Sequence, residues 1–169
     1  MSAVVQLADH DPREFIVTRI FRAPRPLVFK VWTEPQYVAQ WWGIDGATNP
    51  ECELDLRAGG RWRIVMRTAS GRLYPNQGTF LEVVPNERLV YSDVHDPELP
   101  EWEGRPPEAG VHTVIFEDVG QDTRVTLRVR LGAPADRDRM LALGAPKGLA
   151  QGFERLARLL ATLAEAPSC

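Results

Sequence analysis

Three histidines are the side chains of this 169-residue sequence best suited to proton transfer or metal binding. His95 and His112 stand at the two ends of a proline-rich segment, residues 96–110, whereas His10 lies near the start of the chain. If the strands flanking that segment pair, His95 and His112 face each other and can form a polar contact for a ligand. The alternative is two strand histidines whose hydrogen bonds are satisfied by their neighbours. Because neither H-E-x-x-H nor paired cysteines accompany them, we expect no metal.

Acidic residues offer a second candidate for acid–base chemistry. Glu51, Glu53, Asp55 and Arg57 alternate along one predicted strand and therefore share one face of it. We favour the structural interpretation, in which this face is solvated or Asp55 forms an ion pair with a neighbouring arginine. The motifs G-x-S-x-G, G-x-x-x-x-G-K-[ST] and G-x-G-x-x-G are absent. The sequence thus carries no recognisable catalytic motif, and we expect no cofactor.

Length and composition indicate one ordinary globular domain. The chain has 44% hydrophobic and 25% charged residues, which is enough to build a core without disulfides. A net charge of −3 argues against nucleic acid as a partner. Cys52 and Cys169 are poorly placed to form a disulfide, and neither a signal sequence nor a run of about 20 apolar residues occurs. We therefore expect a cytoplasmic protein without membrane insertion.

Periodicity predicts how these side chains are positioned. Residues 1–13 are expected to be a flexible tail, and a first strand begins at Glu14 and ends before Pro24. Two short helices follow, the second capped by Thr33. Six alternating segments then predict an antiparallel meander, because the links between most of them are short: 47–57, 61–68, 73–84, 88–95, 111–119 and 123–131.

The last third of the sequence predicts helix, beginning at Asp136 and kinked or restarted at Pro146. Gly144, Gly148 and Gly152 lie four residues apart, so something must approach that helix face closely. We favour the sheet over a ligand as that neighbour. The long link 96–110, which contains Trp102, is either a lid or a tolerated insertion.

Several stretches together carry a resemblance to a known family. They read FRAPRPLVFKVWTEPQYVAQWWG, CELDLRAGGRW, GTFLEVVPNERLVY, TRVTLRVR and GFERLARLL. Over about residues 14–164 the chain resembles the bacterial single-domain branch of the SRPBCC (START-like) superfamily, similar to the C-terminal domain of the activator of the heat-shock-protein-ninety ATPase. Residues 14–165 are thus expected to form one START-like domain.

This resemblance implies an α+β helix-grip fold, in which a curved antiparallel β-sheet wraps around a long C-terminal α-helix and two short helices follow the first strand. It also implies that Trp41 and Trp42, like Asp55, Arg57, Gly59 and Gly60, define the fold and are not catalytic. The chain departs from the family pattern in the 96–110 segment and at Pro146.

The leading functional hypothesis is the binding of a small hydrophobic ligand, lipid-like or aromatic, in a cavity between sheet and C-terminal helix. Alternation predicts the cavity-lining residues to be Trp41, Trp62, Ile64, Met66, Phe80, Tyr91, His95, Trp102, His112, Val114, Phe116 and Phe153. The alternatives are a cyclase- or hydratase-type enzyme that uses the same cavity, and a co-chaperone-like protein-interaction module. An open sheet edge can also pair in a homodimer.

Overall fold

The computed structural model describes residues 3–7 and 10–165. Within these ranges eight strands form one antiparallel sheet in the order β1-β2-β8-β7-β6-β5-β4-β3. The strands are β1 Val4–Leu7, β2 Glu14–Phe21, β3 Thr48–Leu54, β4 Arg61–Arg67, β5 Leu73–Val84, β6 Arg88–Asp93, β7 Gly110–Val119 and β8 Asp122–Arg130. The helices are α1 Arg25–Thr33, α2 Pro35–Trp41, α3 Pro134–Ala142 and α4 Ala145–Glu165, with a 3₁₀ turn at Pro100–Trp102.

Helix α4 packs on the sheet through one apolar stripe. Phe153, Leu156 and Leu160 are buried, and the Phe153 ring meets the Phe21 ring edge-on at 5.8 Å between centroids. At the border of this contact the Arg19 guanidinium of β2 forms an ion pair with Glu154 at 2.6 Å. The predicted helix-grip arrangement of curved sheet, long C-terminal helix and two short helices is therefore confirmed.

Strand β5 belongs to two strand pairs that hardly overlap. Its residues 73–79 pair with β4, and its residues 80–84 pair with β6. Gly78 lies at this change of partner, opposite Trp62. The Trp62 indole crosses β5 there and donates a hydrogen bond to the backbone carbonyl oxygen of Ser92, at 3.0 Å. The missing side chain at Gly78 makes room for that crossing.

The turn between β3 and β4 explains the D-L-R-x-G-G element of the sequence. Gly59 has a φ of +84°, which favours glycine, and a Cβ at Gly60 would overlap the backbone oxygen of Asp55. Beside the turn the Arg57 guanidinium donates to the Asp55 carboxylate at 2.9 Å. The ion-pair interpretation of this charged face is confirmed at Asp55, and Glu51 likewise contacts Arg63 at 3.2 Å.

Three local predictions need correction. Part of the expected tail is strand β1, whose Val4–Leu7 backbone pairs with the edge of β2 although its side chains are exposed. Alternation alone could not reveal it, because an exposed edge strand needs no apolar face. Thr33 does not cap α2; Glu34 takes that position, and the Thr33 hydroxyl donates to the carbonyl oxygen of Phe29 at 2.8 Å.

The third correction concerns the glycines of the C-terminal region. Gly144, at a φ of +81°, separates α3 from α4, so the chain restarts just before Pro146 as predicted. The close neighbour of Gly148 and Gly152 is the loop after α2, and not the sheet: a Cβ on Gly152 would lie 3.5 Å from the backbone oxygen of Gly43. At Gly148 the space is tighter, since a Cβ there would lie 3.3 Å from Cγ2 of Ile44 in the same loop.

Candidate functional site

A cavity of about 240 Å³ lies between the sheet and helix α4. Most of its wall is aromatic or aliphatic, with side chains from β2, β4, β8 and all four helices or the loops beside them. The apolar wall consists of Phe15, Trp32, Trp41, Trp42, Ile44, Trp62, Met66, Leu127, Val129, Leu131, Met140, Ala145, Leu149 and Phe153. A concave, mostly apolar space of this kind is typical of small-molecule sites.

Tryptophan contacts hold the wall beside the short helices. The Trp41 indole donates to the carbonyl oxygen of Val31 at 2.9 Å and packs against Trp32 with 4.8 Å between ring centroids. Trp42 bridges from Trp41 to Trp62, with centroid distances of 5.9 and 6.0 Å. The double tryptophan of the sequence thus joins the short helices to β4, and both rings reach the cavity.

Arg155 of α4 anchors the loop at the rim of this wall. Its guanidinium donates to four backbone carbonyl oxygens, those of Gln40, Trp42, Ile44 and Ala47, at 2.8–3.2 Å. Burial lowers the pKa of Arg155, and the nearby Asp45 carboxylate opposes this change. The rim is therefore held by one side chain that bonds to backbone oxygens.

One end of the cavity is polar. Strand register places Tyr91 opposite His112, and their rings stack with 4.9 Å between centroids and 16° between planes. His112 Nε2 lies 3.3 Å from Asp93 Oδ2. Because side chains alternate along a strand, Tyr91 and Asp93 share one face of β6, and His95 follows at the same spacing. Asn76 also lines this end.

Two nitrogen atoms of this cluster are buried without a partner. His95 Nε2 and His112 Nδ1 make no hydrogen bond to the described residues. Leaving a buried polar group unpaired costs about 1–3 kcal/mol, so a molecule that satisfies either atom would recover part of that energy. The cluster therefore offers two buried nitrogen atoms to which a bound molecule can form hydrogen bonds.

Burial shapes the protonation states of the cluster. It strongly raises the pKa of the Tyr91 phenol, and the Asp93 carboxylate adds to this effect. Burial alone would also raise the pKa of Asp93, but His112 and then His95 outweigh it, so the pKa of Asp93 is lowered. The pKa of His95 is lowered, because burial disfavours the charged ring more than Asp93 stabilises it. Asp93 is therefore ionised and Tyr91 neutral at pH 7.

A pH dependence of stability follows from His95. Its imidazole faces Asp93, His112, Asp136 and Arg139, and its pKa in the folded protein lies below the unfolded value of about 6.5. The unfolded chain then binds more protons, so the free energy of unfolding should fall as the pH falls from about 7 to about 5. We expect His95→Gln to flatten this slope in urea titrations at several pH values. His10→Gln is the control at an exposed histidine, and an unchanged slope in His95→Gln would contradict the assignment.

The 96–110 segment packs over the polar end. The Trp102 ring contacts the His95 ring edge-on at 5.4 Å between centroids, and the Arg139 guanidinium of α3 lies 5.7 Å from the Trp102 ring centre. On the other side, Arg72 forms an ion pair with Glu101 at 2.7 Å. The segment is thus attached both to the turn before β5 and to α3, and its Trp102 side chain is buried.

The structure separates the twelve predicted lining residues into three groups. Seven line the cavity: Trp41, Trp62, Met66, Tyr91, His95, His112 and Phe153. Ile64 and Phe80 instead border a smaller void of about 30 Å³. Val114 and Phe116 lie in the closed core, where the Phe29 ring covers Phe116 at 5.3 Å, and Trp102 packs behind His95. That any of these twelve side chains contacts a ligand stays a prediction.

Sequence reasoning missed Asp93 and Arg155. The signal for Asp93 was present, because it lies two residues from both Tyr91 and His95 and so shares their strand face. Arg155 gave no such signal, since its partners are backbone oxygens more than 100 residues away along the chain. Among residues 3–7 and 10–165, no group of three or more histidine, cysteine or acidic side chains is arranged to hold a metal ion.

Comparison with protein families identifies the chain. Residues 22–164 match the family model described as Activator of Hsp90 ATPase homolog 1-like protein. The chain belongs to this family. That result confirms the resemblance seen in the sequence.

Solved structures of bacterial proteins share the fold at low sequence identity. A protein from Nitrosomonas europaea is 24% identical, with a TM-score of 0.80 over 94% of this chain and 100% of its own. A protein from Rhodobacter sphaeroides is 21% identical, with a TM-score of 0.81 over 94% of this chain and 99% of its own. One from Mycobacterium smegmatis is 20% identical, with a TM-score of 0.80 over 95% and 99%.

These similarities establish the fold alone. A comparison with proteins of curated function found no match. None of the helices in the described part of the chain is long and apolar enough to cross a membrane.

Proposed function

We propose that this protein binds a small, predominantly apolar molecule in the cavity between sheet and helix α4. The observation that carries the proposal is the cavity itself, about 240 Å³ with aromatic walls and one polar end. A dry cavity of about 150 Å³ already accommodates benzene, and drug-sized ligands occupy about 300–1,000 Å³. A ligand of one or two fused rings, or a short branched chain, fits between these limits.

Seven of the side chains predicted from the sequence are the proposed contacts. Trp41, Trp62, Met66 and Phe153 offer apolar surface, which contributes roughly 25 cal/mol for each Å² of ligand buried. Tyr91, His95 and His112 orient the ligand at the polar end. We further propose that the protein acts in the cytoplasm, that it does not bind nucleic acid and that it does not insert into a membrane. Strand β1 lies at the edge of the sheet, and its exposed backbone would allow two copies to pair as a homodimer.

Native mass spectrometry combined with calorimetry tests this proposal. We expect the gently purified protein either to carry an additional small mass absent after denaturation or to bind added naphthalene in a calorimetric titration. Leu149→Trp should abolish both, because Leu149 lines the cavity and a larger side chain fills it. Leu143→Trp, the same change at an exposed position, should leave binding intact.

If the protein carries no additional mass and does not bind naphthalene, the proposal is overturned and the interaction-module alternative is favoured. Equal loss of binding in both variants would also contradict the cavity as the site. Thermal unfolding of the two variants shows whether each remains folded.

The Asp93–His112 contact favours a second candidate, a cyclase- or hydratase-type enzyme. A carboxylate beside an imidazole can hold the ring in position while it accepts a proton from a substrate. The same mass measurement distinguishes the two functions. A bound mass that changes by one water during incubation with wild type, but not with His112→Gln, indicates an enzyme, whereas a constant mass indicates a carrier.

A further inference from the structure

The polar end of the cavity restricts which chemical group a ligand can present. We propose that the cavity takes a small, neutral aromatic molecule bearing a hydroxyl group, which donates a hydrogen bond to His112, and that it excludes carboxylates. This inference rests on the proposed function and narrows it, since fatty acids and other anionic lipids would be poor ligands.

The acceptor at the polar end is a ring nitrogen of His112. An ionised carboxylate can only accept hydrogen bonds, so the His112 Nε2 that lies 3.3 Å from Asp93 Oδ2 carries the proton. With the ring neutral, which is part of this proposal, Nδ1 is an acceptor, and this atom is buried without a partner among the described residues. Stacking on Tyr91 fixes the ring plane. The missing partner is therefore a donor, such as a hydroxyl group.

The charges around the polar end disfavour an anionic ligand. Asp93 places a partly buried negative charge at this end, and a second anion beside it would be repelled where water screens poorly. The cationic Arg139 does not line the cavity, and it is engaged by Asp136 at 3.1 Å and by the Trp102 ring. His95 is kept neutral by burial. Burial and the Asp93 charge also raise the pKa of the Tyr91 phenol, so this group is neutral as well.

The shape of the apolar part of the cavity suits an aromatic ligand. Trp41, Trp42 and Trp62 present ring surfaces around the apolar part of the cavity, and Phe153 closes it from α4. Aromatic rings pack on such walls by offset or edge-on contacts. At about 240 Å³ the space suits a two-ring molecule, so a naphthalene skeleton is an appropriate probe.

A matched series of four probes tests the proposal by calorimetry at pH 7: 2-naphthol, 2-methoxynaphthalene, naphthalene and 2-naphthoate. We expect 2-naphthol to bind about tenfold more tightly than its methyl ether, because only the hydroxyl group can donate to a buried acceptor. We expect 2-naphthoate to bind at least tenfold more weakly than 2-naphthol. His112→Gln and Asp93→Asn should each bring the naphthol and the ether to similar affinity, whereas His10→Gln and Asp118→Asn should keep the preference.

The outcomes separate the two proposals. Equal affinity for naphthol and ether, or tight binding of 2-naphthoate, in the wild-type protein overturns this inference while cavity binding stands. A preference that survives both His112→Gln and Asp93→Asn also overturns it. Failure of all four probes to bind overturns this inference, and the proposed function is overturned with it if the purified protein also carries no bound mass. The wild-type series decides the question even if a variant does not fold.

Discussion

Gly78→Ala is expected to lower the free energy of unfolding by roughly 3 kcal/mol or more. A Cβ at this position would overlap the backbone carbonyl oxygen of Ser92 and lie 2.7 Å from Trp62 Nε1. Neither neighbour can move cheaply, because the first is the backbone of β6 and the second donates a hydrogen bond to that same oxygen. Urea unfolding followed by tryptophan fluorescence measures the loss.

Gly152→Ala is the matched control for this experiment. A Cβ on Gly152 meets its nearest atom at 3.5 Å, which is an ordinary contact, and alanine favours a helix by up to about 1 kcal/mol over glycine. That variant should be as stable as the wild type or more so. If Gly78→Ala proves equally stable, β5 and β6 must adjust more freely than their contacts indicate.

Arg155→Met is the second change with a large expected effect, about 3 kcal/mol of destabilisation. The substitution removes donors from four backbone oxygens at once, and a hydrogen bond from a charged group contributes about 1.5–3 kcal/mol. The total stays well below the sum of four such bonds because part of the site is open to water. Hydrogen exchange should also speed up in residues 43–47, since this loop loses its link to α4.

Arg158→Met is the control on the same helix, at an exposed arginine. It should change stability by no more than about 0.5 kcal/mol. Unchanged exchange in residues 43–47 of Arg155→Met would mean that tryptophan packing alone holds the rim of the cavity.

The sheet was largely predictable because its signals are local. Alternation and glycine turns are properties of neighbouring residues, and they predict β4 through β8 to within about two residues of the observed bounds. The strand β1 lacked such a signal because its side chains remain exposed. Helix boundaries around Gly144 and Pro146 were likewise visible, since both residues constrain the backbone directly.

The site was only partly predictable, because alternation identifies a strand face but not what covers it. Val114 and Phe116 share the concave face with His112, yet α1 covers Phe116 through Phe29 and Trp32, so the cavity does not reach it. His95 and His112 were expected near each other, but the contact that matters for charge is between His112 and Asp93. What covers a strand face, and which charged group an imidazole contacts, both depend on packing between distant elements. One sequence does not reveal that packing.

The change of partner along β5 has a consequence for how ligand preference can evolve. Trp62 and Met66, which give the cavity its shape, come from β4 on one side of that strand. Tyr91, Asp93 and His112, which give it polarity, come from β6 and β7 on the other. Substitutions on one side would alter the size of the accepted molecule, and those on the other its functional group. Related proteins could therefore differ in the size of the molecule they accept while they keep the same functional-group preference, or the reverse.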